Sequence, residues 1–186
     1  MKVHLGCGKR YLPGYVHIDQ EKYDHIDYVS DVRNLSMLEA NSIDLIYASH
    51  VFEYFDKVEA PKVLQTWYQY LKPGGILRLA VPDFDALISM YNEKNDLDLI
   101  LGPLYGRWQF SNGNATTAYV YHKTAYNFRS LKEILNLVGF SNVKRWSWQD
   151  VFTGELVGFD DHSQAYFPKM DKEHGMLLSL NVEGVK

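Results

Sequence analysis

Val3-His4-Leu5-Gly6-Cys7-Gly8 is the stretch on which the reading of this chain turns. Three residues suited to a buried strand run directly into two glycines spaced by one. Glycine has no Cβ and takes positive φ readily, so a turn built this way lets the backbone approach a ligand closely. In open α/β sheets ligands collect beyond the carboxyl ends of the strands, where such a turn sits. Two glycines after a strand also occur in ordinary turns, so the neighbouring segments decide between the two uses.

Those segments repeat a pattern. Val16-His17-Ile18-Asp19 is a second short apolar run, and it ends in an acid eleven residues after Gly8. An acid at the end of a second strand is placed to accept both hydroxyls of an adenosine ribose. Tyr28-Val29-Ser30-Asp31 again closes on a carboxylate, which can accept from an exocyclic amine or cap the following turn. Ile43 to His50 is a fourth extended run and Gly75 to Pro82 a fifth.

With Leu71-Lys72-Pro73-Gly74-Gly75 added, the order of these pieces resembles the class I methyltransferases that use S-adenosylmethionine. The similarity is to their minimal type, with a Leu-Gly-Cys-Gly turn. It covers Val3 to Pro82 clearly and Arg129 to Val185 more loosely. The resemblance implies a doubly wound, Rossmann-like α/β sheet, mostly parallel with an antiparallel edge strand. It implies S-adenosylmethionine as cofactor and methyl transfer as activity. It also implies a cofactor site: Gly6, Cys7 and Gly8 in the turn, Asp19 at the ribose, Asp31 and Val32 at the adenine. Ser49 and His50, at the end of the fourth strand, would border the methyl group.

The departures from the family pattern have physical readings. His4 stands where the first strand usually ends in an acid, and Arg10 where a third glycine usually follows. That glycine serves close packing of a helix on the sheet. Only seven residues separate Gly8 from Val16, Pro13-Gly14 among them, so no full helix fits and the first crossover shortens to a loop. Lys9 or Arg10 is then available to the carboxylate end of the cofactor.

Size and composition agree with a single domain spanning 1–186. A chain of 186 residues with 46% hydrophobic content builds one good core. It has no apolar run long enough to cross a bilayer and no secretory signal pattern, which makes the cytoplasm the expected location. The single cysteine, Cys7, has no internal disulfide partner, and in this turn it reads as a small packing residue. A formal net charge of −4, with Lys9-Arg10 and Lys144-Arg145 only as pairs, argues against a nucleic-acid substrate. The 14 Tyr, 9 Phe and 4 Trp serve equally for core packing or for stacking on sugar rings.

Farther along, Pro61 opens a helix whose Ala60, Val63, Leu64, Trp67 and Leu71 share one face, with Pro73-Gly74-Gly75 ending it. Asp83 reads as the N-cap of the next helix. From about 92 to 128 the periodicity is lost, and turn residues such as Gly102-Pro103, Gly106 and the Asn112–Thr117 stretch suggest a lid or substrate insertion. Ser130 with Glu133 reads as a capping box for a helix that Gly139 stops. Asn142–Trp148 and Met176–Val185 read as the last two strands, a hairpin-like pair at the sheet edge. Asp160-Asp161-His162 lies between them; consecutive residues rarely converge on one ion, so no metal site is expected.

The chemistry expected of such a protein is alignment of a nucleophile with an electrophilic methyl group. A hydroxyl acceptor calls for a general base near neutral pKa, a task that suits histidine. His50 is the first candidate, Asp83 the second and His122 a third; Glu53 and Tyr54 read as helix-start residues. The expected acceptor is a small molecule, glycan-like, methylated at oxygen. Two rival readings remain at this level. One is a degenerate protein that binds S-adenosylmethionine or S-adenosylhomocysteine without turnover, favoured by His4 and the short crossover. The other is a nicotinamide-dependent oxidoreductase, which would want a complete G-x-G-x-x-G entering a helix. Oligomeric state has no signature in the sequence.

Overall fold

The computed structural model describes residues 1–111, 117–159 and 161–186. In chain order its elements are β1 (Lys2–Leu5), β2 (Tyr15–Asp19), β3 (Tyr28–Val29), β4 (Ile43–Ser49), α1 (Glu59–Tyr70), β5 (Leu71–Pro82), α2 (Phe84–Lys94) and α3 (Asp98–Tyr105). A hairpin of β6 (Trp108–Ser111) and β7 (Thr117–Val120) follows, then α4 (Phe128–Val138), β8 (Ser141–Arg145) and the short α5 (Trp148–Val151). β9 (Tyr166–Phe167), β10 (Met176–Leu177) and β11 (Ser179–Val185) complete the chain.

Seven strands form one sheet in the order β3-β2-β1-β4-β5-β11-β8. β1 pairs in parallel with β2 and β4, β2 with β3, and β4 with β5. β11 runs antiparallel to both its neighbours, β5 and β8. This is the mostly parallel α/β sheet expected. The strand that runs against the others lies one place in from the edge, because the last strand slots between β5 and the outer β8.

Burial on both faces explains the apolar runs. β4 alternates Ile46 and Ala48 toward one face with Leu45 and Tyr47 toward the other, and all four are buried. On the first face α1 and α4 supply Leu64, Trp67, Leu131 and Leu135 to a core shared with Val3, Leu5, Leu77 and Leu79. On the second, Leu12, Tyr47, Ala80, Trp146 and Phe152 pack together under short segments rather than long helices. No helix separates β1 from β2, as the seven-residue spacing predicts. His4 points to this second face, where its ring packs on Tyr47 at 5.1 Å and on His17 at 5.7 Å.

Four local expectations need correction. The strand expected over Met176–Val185 is two: β10 pairs with β9 in a separate ribbon, and only β11 joins the main sheet, where its partner β8 ends at Arg145 rather than Trp148. The helix expected to run to Pro73 ends at Tyr70, and β5 begins at Leu71. Leu71 pairs with Ile43, Ile76 with Leu45, and the residues between loop out of register. The cap of α4 is Asn127 rather than Ser130. Asn127 accepts from the Ser130 N–H while Ser130 Oγ accepts from the Asn127 N–H, and Glu133 pairs with Arg129 instead. The segment 92–128 is not structureless: it holds α3 and the β6–β7 hairpin. Gly102 and Pro103 lie inside α3, where their poor helix propensity hides it from a periodicity argument. Of the Asn112–Thr117 stretch only Thr117, and of the Asp160–His162 run only Asp161 and His162, fall within the described residues.

Candidate active site

At the carboxyl ends of β1, β2, β4 and β5 lies a cavity of about 700 Å³, within the roughly 300–1,000 Å³ usual for small-molecule sites. Gly6, Cys7 and Gly8 form part of its wall, and Gly6 and Gly8 take φ of +62° and +53°. A Cβ at Gly6 would collide with the Val51 side chain, whereas at Gly8 its neighbour would be the indole of Trp108, at 3.9 Å. Both glycines are therefore required by conformation, and the first by space as well.

Asp19 binds this turn to the end of β2. Its Oδ2 accepts from the Gly8 N–H at 2.7 Å and its Oδ1 from the Glu21 N–H at 2.8 Å. Asp31 and Val32 line the cavity next to it. Arg33 holds the Asp31 carboxylate through three hydrogen bonds of 2.6 to 2.9 Å, from its backbone, Nε and Nη2. Burial raises the Asp31 carboxyl pKa, but these Arg33 contacts outweigh it and hold the group below its ordinary value. Val32 is fixed from behind, since its carbonyl accepts from the Trp67 indole at 2.9 Å. Burial, reinforced by the Asp19 charge, pushes the Cys7 thiol up to about 12, so it is a packing residue and not a thiolate.

Ser49 and His50 form the opposite wall. His50 takes φ of +54°, a left-handed conformation rare for a non-glycine residue, with its N–H bonded to the Ala80 carbonyl at 2.8 Å. The side chain is 15% exposed. Its Nε2 lies 3.3 Å from Ser179 Oγ and its Nδ1 3.4 Å from Glu53 Oε1. Two more histidines reach the same wall. The His162 ring lies edge-on to His50 at 4.9 Å, and His122 Nε2 lies 3.7 Å from Glu53 Oε1. These distances would suit ion pairs, yet burial drives every partner toward its neutral form. It lowers His50 well below the ordinary histidine range, helped by nearby His162, His122 and Arg10; it lowers His122; and it raises Glu53 to about 8.

Gly6, Cys7, Gly8, Asp19, Asp31, Val32, Ser49 and His50 thus share one cavity wall system. Asp83 is not among the residues that line it. It caps α2 through the Asp85 N–H, and its Oδ2 lies 3.4 Å from Arg145 Nη1. Glu53 is no simple helix-start residue, since its carboxyl is buried behind the histidines. The signal for it was an acid inside the otherwise apolar Val51-Phe52-Glu53-Tyr54-Phe55 run. Gly106, Arg107, Trp108 and His122 bring the 92–128 segment to the cavity rim. Among the described residues no group of three or more His, Cys, Asp or Glu side chains is arranged to hold a metal ion.

Residues 5–79 match the family described as "Methyltransferase domain". No curated protein sequence matches the chain. The fold aligns over its full length with a SAM dependent methyltransferase from Archaeoglobus fulgidus, at 16% identity, 85% of that chain and a TM-score of 0.56. It aligns equally completely with an S-adenosylmethionine dependent methyltransferase from Mesorhizobium loti, at 16% identity, 90% of that chain and 0.53. A third, at 10% identity, 70% of that chain and 0.54, is 1,6-didemethyltoxoflavin-N1-methyltransferase from Burkholderia thailandensis, solved with 1,6-didemethyltoxoflavin and S-adenosylhomocysteine bound. At these identities the likeness is one of fold.

Proposed function

We propose that the protein, whose residues 5–79 match a methyltransferase domain, is an S-adenosylmethionine-dependent methyltransferase that methylates a hydroxyl of a small, glycan-like acceptor with His50 as base. The observation that carries the proposal is one cavity holding a glycine turn braced by a carboxylate on one side and a wall of neutral histidines on the other.

The chain's residues fit the cofactor. The backbone of Gly6 to Gly8 is open to close approach, and each Asp19 oxygen keeps a lone pair beyond its backbone bond for the ribose hydroxyls. Asp31 and Val32, on the same wall, would meet the adenine, and Arg10 would offer a cation to the carboxylate end. Bound there, S-adenosylmethionine supplies a methyl group made electrophilic by its sulfonium.

The protein's own task is to orient the acceptor and receive its proton. His50 is neutral near pH 7 because burial opposes its charge, and in the tautomer that carries its hydrogen on Nδ1 the ring can receive a proton from an acceptor hydroxyl. Asp83 is set aside as the base, its carboxylate being committed to the α2 cap and Arg145. The 92–128 segment serves as the acceptor-side cover, with half-exposed Trp108 lining the cavity as a stacking surface for a sugar ring. The small-molecule acceptor bound to the toxoflavin enzyme is consistent with this use of the fold.

Calorimetry with S-adenosylhomocysteine tests the cofactor site: binding in the micromolar range is expected, and none would remove the reading. His50→Ala should keep that affinity while turnover on glycan-type acceptors drops by about 10²–10⁴-fold, the usual worth of a general base. Wild-type turnover in this variant would acquit His50.

A further inference from the structure

Glu53 lies behind the histidine wall rather than on it. Its side chain is 1% exposed, neither carboxyl oxygen has a hydrogen-bond partner, and among the described residues no lysine or arginine ion-pairs with it. A buried carboxylate without donor or counter-ion is strongly disfavoured. What surrounds it shows how the site avoids that state.

Two rings converge on Oε1, and the far side of each ring fixes what the near nitrogen carries. His122 Nδ1 lies 3.1 Å from the Pro103 carbonyl, which can only accept. Nδ1 therefore holds the ring proton, and Nε2 faces Glu53 with a lone pair. For His50 the logic runs through three groups. The Asn181 amide nitrogen donates to the Ser163 carbonyl at 2.9 Å, which turns its oxygen to Ser179. The Ser179 hydroxyl donates to that oxygen at 2.9 Å, so Ser179 Oγ accepts from His50 Nε2. A neutral ring has one hydrogen, so with Nε2 the donor its hydrogen bond to the His162 backbone is made from Nε2 as well, and Nδ1 is left with a lone pair aimed at Glu53. Against two lone pairs, with only its own backbone N–H as a weak opposing donor that burial outweighs, one place is left for a proton, and that is the carboxyl itself.

We propose that Glu53 is a positioning residue, a neutral acid in the resting protein whose proton loss converts His50 to the tautomer able to act as base. The inference rests on the reading of His50 given above. While Glu53 is protonated it donates to His50 Nδ1, and Nε2 keeps its hydrogen, so the ring offers the acceptor no lone pair. When the site loses one proton to solvent, it is the hydrogen on Nε2 that leaves, while the Glu53 proton passes along its contact to Nδ1. The carboxylate then accepts from Nδ1–H, and Nε2 presents the lone pair. The acceptor's hydroxyl proton then goes to Nε2, giving an imidazolium held by the Glu53 carboxylate.

The groups facing this arrangement agree with it. Tyr54 packs edge-on against His122 at 4.7 Å, Tyr126 and Tyr54 both feel the Glu53 charge, and His162 and Arg10 act on His50. None supplies a cation close enough to hold Glu53 ionised at rest, and its acid form persists to about pH 8.

The tautomer can be read without any acceptor. In the full-length protein labelled with 15N histidine, His50 Nδ1 should give a pyridine-type shift at about pH 6 and a pyrrole-type shift by about pH 9.5. In Glu53→Gln, whose amide donates at all pH values, the ring should stay in its first state. A difference infrared spectrum of wild type minus Glu53→Gln at about pH 6 should carry the carbonyl band of a protonated carboxyl. A carboxylate band there, an unchanging His50 ring in the wild type, or the same switch in the glutamine variant overturns the proposal. Should that variant fold poorly, the wild-type titration decides alone. The base assignment has its own arm: if His50→Ala keeps turnover while the tautomer switch is present, that assignment falls and the gating role with it, but the neutral acid stands.

Discussion

Asp19 braces the turn on which the proposed cofactor site is built. It holds the Gly8 and Glu21 N–H groups, so the glycine turn keeps its shape only while that carboxylate is present. Asp19→Ala should weaken S-adenosylhomocysteine binding by about 1–3 kcal/mol, the range for leaving buried polar groups unpaired. Calorimetry checks it, and unchanged affinity would put the ribose elsewhere. Glu53 has a stability consequence of its own. Its folded carboxyl titrates near 8 against 4.5 for the free group, so between those values the folded state binds more protons than the unfolded one. Its favourable contribution is complete below about pH 4.5 and is lost as pH rises to about 8. Glu53→Gln should remove that loss and raise the urea midpoint at pH 8 above that of the wild type.

Elements were legible where local chemistry and tertiary role agreed. β1, β4 and β5 announce themselves as apolar runs because both their faces are covered, and α1 shows a clean stripe because only one of its faces is. α3 was hidden because Gly102 and Pro103 sit within it, and packing of Ile100 against Leu87 and Met90 overrides their propensity. The cap of α4 was missed for a related reason: Ser130-x-x-Glu133 fits the familiar pattern, but Asn127 takes the cap one turn earlier. Asn127→Ala should therefore cost about 1 kcal/mol of stability by denaturant unfolding, with Glu133→Ala close to neutral. In the candidate site, the glycine turn and the acids at strand ends could be placed on one cavity wall from the sequence because each closes a strand of its own. The convergence of Glu53, His122 and His162 could not, since their segments are joined only by the fold.

At the scale of the molecule, the second face of the sheet carries an acid sensitivity. His4 is 1% exposed, its Nδ1 has no hydrogen-bond partner, and burial, aided by His17, Arg10 and His25, lowers its pKa to about 3. His17 beside it is lowered too, with burial the largest cause. The unfolded chain binds these protons near 6.5, so stability is full above that value and falls as pH drops toward 3. The slope should approach ~1.4 kcal/mol per pH unit for each buried neutral ring. Urea midpoints between these limits measure it, and His4→Phe should flatten the curve. The opposite face of the cavity carries a different opportunity. Trp108, 39% exposed, rests its indole against the bend at Gly8, whereas Trp67 is sealed in the core. Any molecule entering between hairpin and bend must change the surroundings of that one indole. Its emission is thus an optical gauge of occupancy already built into the chain, by which candidate acceptors could be screened in a cuvette.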